Sequence, residues 1–187
     1  MELLPFLKQT NLFSEEDCIT IEDNFEREFF SKGASIPTTT KYSQHLFFIE
    51  SGLLRTYFVQ DGKNITHFFS DENYFIAPIN SIFFNKTDRY EWEALEPCQI
   101  KSIPYPQFLA LEERFPRLAR VLLDFTIMMM DLFSQKLNLH QSQSAAERYE
   151  AFLTMYPNLI NRVSLGSVAS FLGISQQTLS VVRSQKK

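Results

Sequence analysis

The spacing of apolar positions changes period along the chain, and each change predicts a different kind of element. From Leu3 to about Phe29 the pattern is helical: Leu7, Leu12, Cys18, Ile21 and Phe25 fall on one face, and Ser14 followed by Asp17 and a run of acids marks a helix start. From Phe30 to about Ile103 the runs shorten to strand-sized pieces: SIPTTT, HLFFIE, LLRTYFVQ, KNITHFFS, YEWEALE and QIKSIP. Glu50-Ser51-Gly52 and Asp61-Gly62 supply turns, the second being a strong hairpin signal. Short strands at this regularity predict an antiparallel roll or barrel rather than a parallel sheet. The less regular interval DENYFIAPINSIFFNKTD, 71 to 88, predicts a loop with a short helix, where such a roll would close over a ligand.

A short helix is predicted from Pro104 to Phe115, and Pro116 suits the first residue of a long helix running to about Ser144. Along it Leu118, Leu122, Phe125, Met129, Leu132 and Leu139 recur at helical steps, interrupted by Lys136. About 29 residues at 1.5 Å each span roughly 43 Å, which outgrows one small domain. With further apolar groups at Val121, Ile127, Met128 and Met130, the helix is expected to pack on both the roll and a symmetry mate. Leu118, Leu122, Phe125, Met129 and Leu132 are the predicted dimerisation residues. SAAERYEAFLTMY, 144 to 156, is another amphipathic helix, broken by Pro157-Asn158.

The stretch VSLGSVASFLGISQQTLSVVR, 163 to 183, has the spacing of a helix-turn-helix. Ala169 sits where one helix crosses another too closely for a larger side chain, and Gly173 where a sharp turn needs positive φ. Val168, Leu172, Ile174, Leu179 and Val182 hold the pair to its domain, and Ser175 suits the N-cap of the second helix. Gln176, Gln177, Thr178, Ser180 and Arg183 are left facing outward. Together with Ser175 they form the predicted DNA-contacting set, because glutamine, serine and threonine can hydrogen-bond base edges in a major groove. The plainer reading is a three-helix domain whose Ala and Gly serve packing only.

These elements divide the chain into a sensor domain at 1–115, a connecting and dimerising helix at 116–144 and a helix-turn-helix domain at 145–187. With 187 residues, 44% hydrophobic content and 19 Phe, a real core is assured and global disorder is excluded. The net charge of −4 argues against indiscriminate coating of nucleic acid. It conceals a split: residues 1 to 144 sum to −7, whereas 145 to 187 sum to +3. Cys18 and Cys98 stand eighty residues apart without metal-ligand spacing and read as reduced core residues. The N-terminus lacks a signal-peptide pattern and no apolar run reaches membrane-span length, so the expected location is the cytoplasm, with no membrane partner.

An acidic N-terminal roll, a long helix and a C-terminal helix-turn-helix in this order resemble the Crp/Fnr family of bacterial transcription regulators. The resemblance covers essentially the whole chain and rests on IESGLLRTY at 49–57, EALEPCQI at 93–100, ERYEAFLTMYP at 147–157 and LGSVASFLGISQQTLSVVR at 165–183. It is strongest to a compact branch that ends near the recognition helix. It implies an α+β protein: a cyclic-nucleotide-binding-like antiparallel β-roll, a dimerising helix, and a winged-type DNA-binding domain without much wing. The implied partners are double-stranded DNA and a second copy of the chain, with room for an unknown small-molecule effector.

Departures from the family pattern are informative. Cyclic-nucleotide receptors of the family carry a Gly-Glu pair opening a phosphate-binding helix and an Arg about ten residues later. Here the corresponding region begins Asp71-Glu72-Asn73, without glycine, and the nearest arginine, Arg89, lies seventeen residues beyond Glu72. A buried phosphate would be left unpaired, so cyclic AMP binding in the usual way is not expected. Glu72, Asn73 and Arg89 remain the ligand-binding candidates. Two cysteines are too few for the family's four-cysteine cluster, and His45, His67 and His140 form no pattern for haem, so no cofactor or metal is expected. Where DNA-binding relatives commonly place an Arg-Glu pair and a later Arg, this chain has Gln176, Gln177 and Val181, which removes the usual guanine contacts.

The function implied is a dimeric, sequence-specific transcription regulator and not an enzyme. The alternative is an effector-binding or protein-interaction module with a degenerate helix-turn-helix. A cupin-like metal enzyme would need a close His-x-His pair, whereas His45 and His67 stand 22 residues apart; no nucleophile triad, P-loop or dinucleotide fingerprint occurs. Phe47, Phe69, Phe75 and Trp92 serve equally as walls for an apolar ligand or as core.

Overall fold

In the computed structural model, which describes residues 1–38 and 41–185, the chain forms two compact units. One comprises Met1–Tyr57 and Phe69–Phe125; the other comprises Phe58–Phe68 and the chain from Thr126 onward. This division cuts at 125/126 rather than at the sequence boundaries of 115/116 and 144/145, and it assigns a hairpin tip from the roll to the second unit. Thr39 and Thr40 of the predicted strand SIPTTT, and Lys186 and Lys187 of the positive tail, lie outside the described residues.

The first unit opens with α1 (Leu3–Gln9) and α2 (Glu15–Asp23). Ser14 caps α2 as its sequence foretold: its Oγ accepts from Asp17 N at 3.1 Å, and Asp17 Oδ2 accepts from Ser14 N at 3.3 Å. The helical reading up to Phe29 is corrected, because Glu26–Phe30 forms strand β1. The helical stripe ends at Phe25, after which Glu28 and Phe30 are half-buried between exposed Arg27 and Phe29, a period of two.

Seven more strands follow: β2 (Ser35–Ile36), β3 (His45–Ser51), β4 (Leu54–Gln60), β5 (Lys63–Ser70), β6 (Phe75–Ile76), β7 (Glu91–Ala94) and β8 (Cys98–Pro104). They make two four-stranded sheets of order β1-β8-β3-β6 and β2-β7-β4-β5, the predicted antiparallel roll. Helix α3 (Ile79–Phe84) occupies the irregular interval after β6, and α4 (Tyr105–Arg114) follows β8.

Two layers of apolar side chains account for the near-continuous run LFFI in β3. Phe47 and Ile49 enter the cluster between the sheets, with Ile36, Leu54, Trp92 and Ile100. Leu46 and Phe48 face the other way, into a core with Leu3, Leu7 and Ile21 of the N-terminal helices, Phe108 of α4, and Leu118 and Val121 of α5 (Leu118–Ser142). A strand buried on both faces shows no alternation. Glu50, only 2% exposed, anchors α1: its carboxylate accepts from Leu3 N at 3.0 Å and Gln99 Nε2 at 2.6 Å, and lies 3.3 Å from Arg27 Nε. At the β3–β4 turn Gly52 adopts φ 101°, and a Cβ there would stand 2.6 Å from Cys98 Sγ.

Residues of the predicted dimerisation stripe on α5 pack within the chain itself. Leu118 is buried and Leu122 and Phe125 are half-buried against the first unit's own core. Leu132 and Leu139 are buried within the second unit, and Met129 is half-buried. The apolar residues that α5 leaves exposed are instead Leu123, Ile127, Met128, Met130, Phe133 and Leu137.

The second unit holds the rest of α5, then α6 (Ala145–Met155), α7 (Leu165–Leu172) and α8 (Gln176–Ser184). Phe152, Tyr156 and Phe171 form an aromatic triad inside it, with ring centroids 5.5 to 5.7 Å apart. The tip of the β4–β5 hairpin turns at Asp61-Gly62, both with positive φ (51° and 72°), as that dipeptide predicts.

Candidate nucleic-acid interface

Helices α7 and α8 take the geometry that their sequence foretold. Ser164 caps α7, accepting from Ser167 N at 3.1 Å, and Ser175 caps α8, accepting from Thr178 N at 3.0 Å. Between them Gly173 ends α7 at φ 66°, and Ile174 N donates to Ala169 O at 3.0 Å. Ala169 is 2% exposed, as a close-approach position should be. Leu179 and Val182 are buried, which fixes the rotation of α8.

That rotation exposes Gln176, Gln177, Thr178, Ser180 and Arg183, all five predicted outward residues. They are not equivalent. At 100° per residue, the ridge opposite Leu179 and Val182 consists of Gln177, Ser180, Val181 and Ser184. Gln176 and Arg183 lie on one flank and Thr178 on the other. Ser175 and Thr178 hydroxyls are hydrogen-bonded to each other at 2.8 Å, and Gln176 leans over Gly166, where an added Cβ would meet its Nε2 at 2.5 Å. Val181, 54% exposed, and Ser184 were outside the predicted set; the period measured from Leu179 and Val182 was the signal for them.

Cationic groups hold this platform from behind. Arg148 on α6 donates to Leu172 O at 3.1 Å and to Gln143 O at 3.0 Å, tying the end of α7 to the α5–α6 junction. On α5, the Lys136 ammonium donates to the His67 carbonyl and faces the rings of Phe68 and Phe171, at 5.0 and 4.6 Å from their centroids. Burial pushes Lys136 down to about 8. His140 is also lowered, by burial first and then by the charges of Lys136 and Arg148. Ser170 of α7 accepts from Thr66 N and donates to Asn64 O, so the hairpin tip, α5 and α7 meet in one cluster.

The ligand-binding candidates of the first unit are engaged locally. Glu72 Oε1 accepts from Gly52 N at 3.1 Å. Asn73 has φ 72° and donates its N–H to Ile49 O at 2.9 Å, while its side-chain Oδ1 is buried without a hydrogen-bond partner among the described residues. Arg89 is exposed and lies over the ring of Tyr90, 5.2 Å from its centroid. The space between the sheets is filled by the aromatic and aliphatic cluster around Phe47 and Trp92, and Phe69 and Phe75 are likewise buried; all four read as core.

Cys18 and Cys98 are buried free thiols, both pushed up by burial, and no group of three His, Cys, Asp or Glu that could hold a metal occurs among the described residues. No helix among those residues is long and apolar enough to cross a membrane.

Residues 27–115 match the cyclic nucleotide-binding domain family. No curated protein sequence matches the chain. Among solved structures, FixK2 from Bradyrhizobium japonicum is similar over 86% of this chain and 83% of its own, with a TM-score of 0.73 and 18% identity. A CooA mutant from Carboxydothermus hydrogenoformans is similar over 89% of this chain and 78% of its own, with a TM-score of 0.70 and 18% identity. The c-di-GMP-responsive global regulator CLP of Xanthomonas campestris is similar over 92% of this chain and 91% of its own, with a TM-score of 0.71 and 13% identity. Residues 27–115 thus match the model of the cyclic nucleotide-binding domain family, and the chain has the fold of the Crp/Fnr transcription regulators.

Proposed function

We propose that this protein is a dimeric, cytoplasmic, sequence-specific DNA-binding transcription regulator whose roll does not take cyclic AMP in the usual way. The observation that carries the reading is the exposed polar face of α8. Its base-reading side chains stand outward from a helix fixed by Leu179, Val182, the Ser175 cap and the Gly173 turn. A helix mounted so suits insertion into a major groove. The names of its structural neighbours, a global regulator among them, support the same reading.

Dimerisation is assigned to the face of α5 left exposed. Ile127, Met130, Ser134 and Leu137 follow a three-four-three spacing, with Leu123 four residues ahead in the same register, which is the seam of a two-stranded coiled coil. Two copies joined there would carry two reading helices for paired half-sites. Against cyclic AMP stand the filled space between the sheets, the absence of a glycine beside Glu72, and Arg89 resting on Tyr90.

Selection of bound fragments from the protein's own genomic DNA tests the proposal. A two-fold symmetric site is expected. Binding confined to proteins, with no duplex enriched from a folded dimer, would instead support the interaction module, a reading that Val181 and the modest charge of 145–187 favour.

A further inference from the structure

Building on the DNA-binding reading above, we infer that α8 reads A·T base pairs: Gln177 recognises an adenine, and Val181 packs on the methyl group of a thymine. The ridge that would enter deepest into a groove is Gln177, Ser180, Val181 and Ser184, and it carries no cation. Of the other polar groups, Ser175 and Thr178 are paired with each other, and Gln176 rests across Gly166. Ser184 turns its hydroxyl back to Val181 O at 2.8 Å. Ser180 offers a single short hydroxyl, so Gln177 is the ridge side chain that can present a separate donor and acceptor at once, which matches N7 and the N6 amino group of adenine bidentately. Val181, 54% exposed among polar neighbours, has no hydrogen bond to give, and the one apolar group on a major-groove edge is the thymine methyl. Arg183 lies on the flank, where a guanidinium meets phosphate rather than a guanine edge.

The test uses the full-length protein and a randomised duplex library, followed by titration of the enriched duplex with single thymines replaced by uracil. Half-sites with adenine and thymine and no invariant guanine are expected. One uracil substitution per half-site should weaken wild-type binding roughly four-fold, the worth of one buried methyl. The same substitution should have little effect on V181A, while V181R should select guanine at that position. Enriched half-sites with an invariant guanine, or no uracil effect in the wild type, would overturn the inference while leaving DNA reading intact. No enriched duplex at any salt concentration would overturn both.

Discussion

The hydroxyl of Ser170 accepts the backbone N–H of Thr66 at 2.9 Å, across 104 residues of sequence. The same hydroxyl donates to Asn64 O at 3.2 Å, so one side chain of α7 satisfies two backbone groups of the hairpin tip. Ser170→Ala leaves both without this partner, at an expected cost of about 1–3 kcal/mol. Hydrogen exchange at the Thr66 amide should accelerate strongly in the variant. Unchanged protection there would show that the contact does not hold the tip.

Lys136 makes the second unit sensitive to alkaline pH. Its folded-state value of about 8 lies below the ordinary 10.5, so between those values the unfolded chain binds the proton more tightly. Stability contributed by this site therefore rises with pH across that window and is lowest below it. Denaturant unfolding of wild type and Lys136→Met should show a difference that changes between pH 8 and 10.5, moving in favour of the wild type as pH rises. A pH-independent difference would contradict the burial of the ammonium.

The two faces of α5 are expected to separate stability from assembly. Ile127→Glu and Met130→Glu place charge on the exposed seam and should yield folded monomers in sedimentation experiments. Leu118→Ala removes a buried side chain from the first unit's core and should cost about 2–5 kcal/mol without monomerising the protein. Monomers from Leu118→Ala alone would return the seam to the stripe first read from the sequence.

Two glycines with positive φ differ in their surroundings. Gly52 meets Cys98 Sγ and the Pro97 carbonyl within 2.7 Å of an added Cβ, whereas Gly62 meets nothing within 4 Å. Gly62→Ala should cost about 1 kcal/mol from backbone strain alone. Gly52→Ala should cost about 3 kcal/mol or more, because backbone must also move. Thermal unfolding of the pair gives the comparison directly.

The sequence was most legible where one residue type had one geometric use. Ser14 and Ser175 each cap the helix that follows, Asp61-Gly62 makes its hairpin, and Ala169 and Gly173 take their places in the helix-turn-helix. Legibility failed where two surfaces compete for one pattern. Helix α5 is apolar nearly all round, so period alone could not tell core from seam; burial separated Leu118 and Leu132 from Ile127 and Leu137. Strand β1 was hidden because Phe25, the last helical anchor, runs straight into EREFF. The cluster around Lys136 was out of reach, since its partners His67, Phe68 and Phe171 come from segments that only the fold brings together.

The most direct test of the sequence-reading role is the affinity of the purified protein for its selected duplex and for a scrambled duplex of equal length, measured across a salt series. The expected result is preference for the selected duplex by roughly a thousand-fold or more, with log affinity falling linearly as log salt rises. Equal affinity for both duplexes, or binding insensitive to salt, would contradict a sequence-reading role for α8.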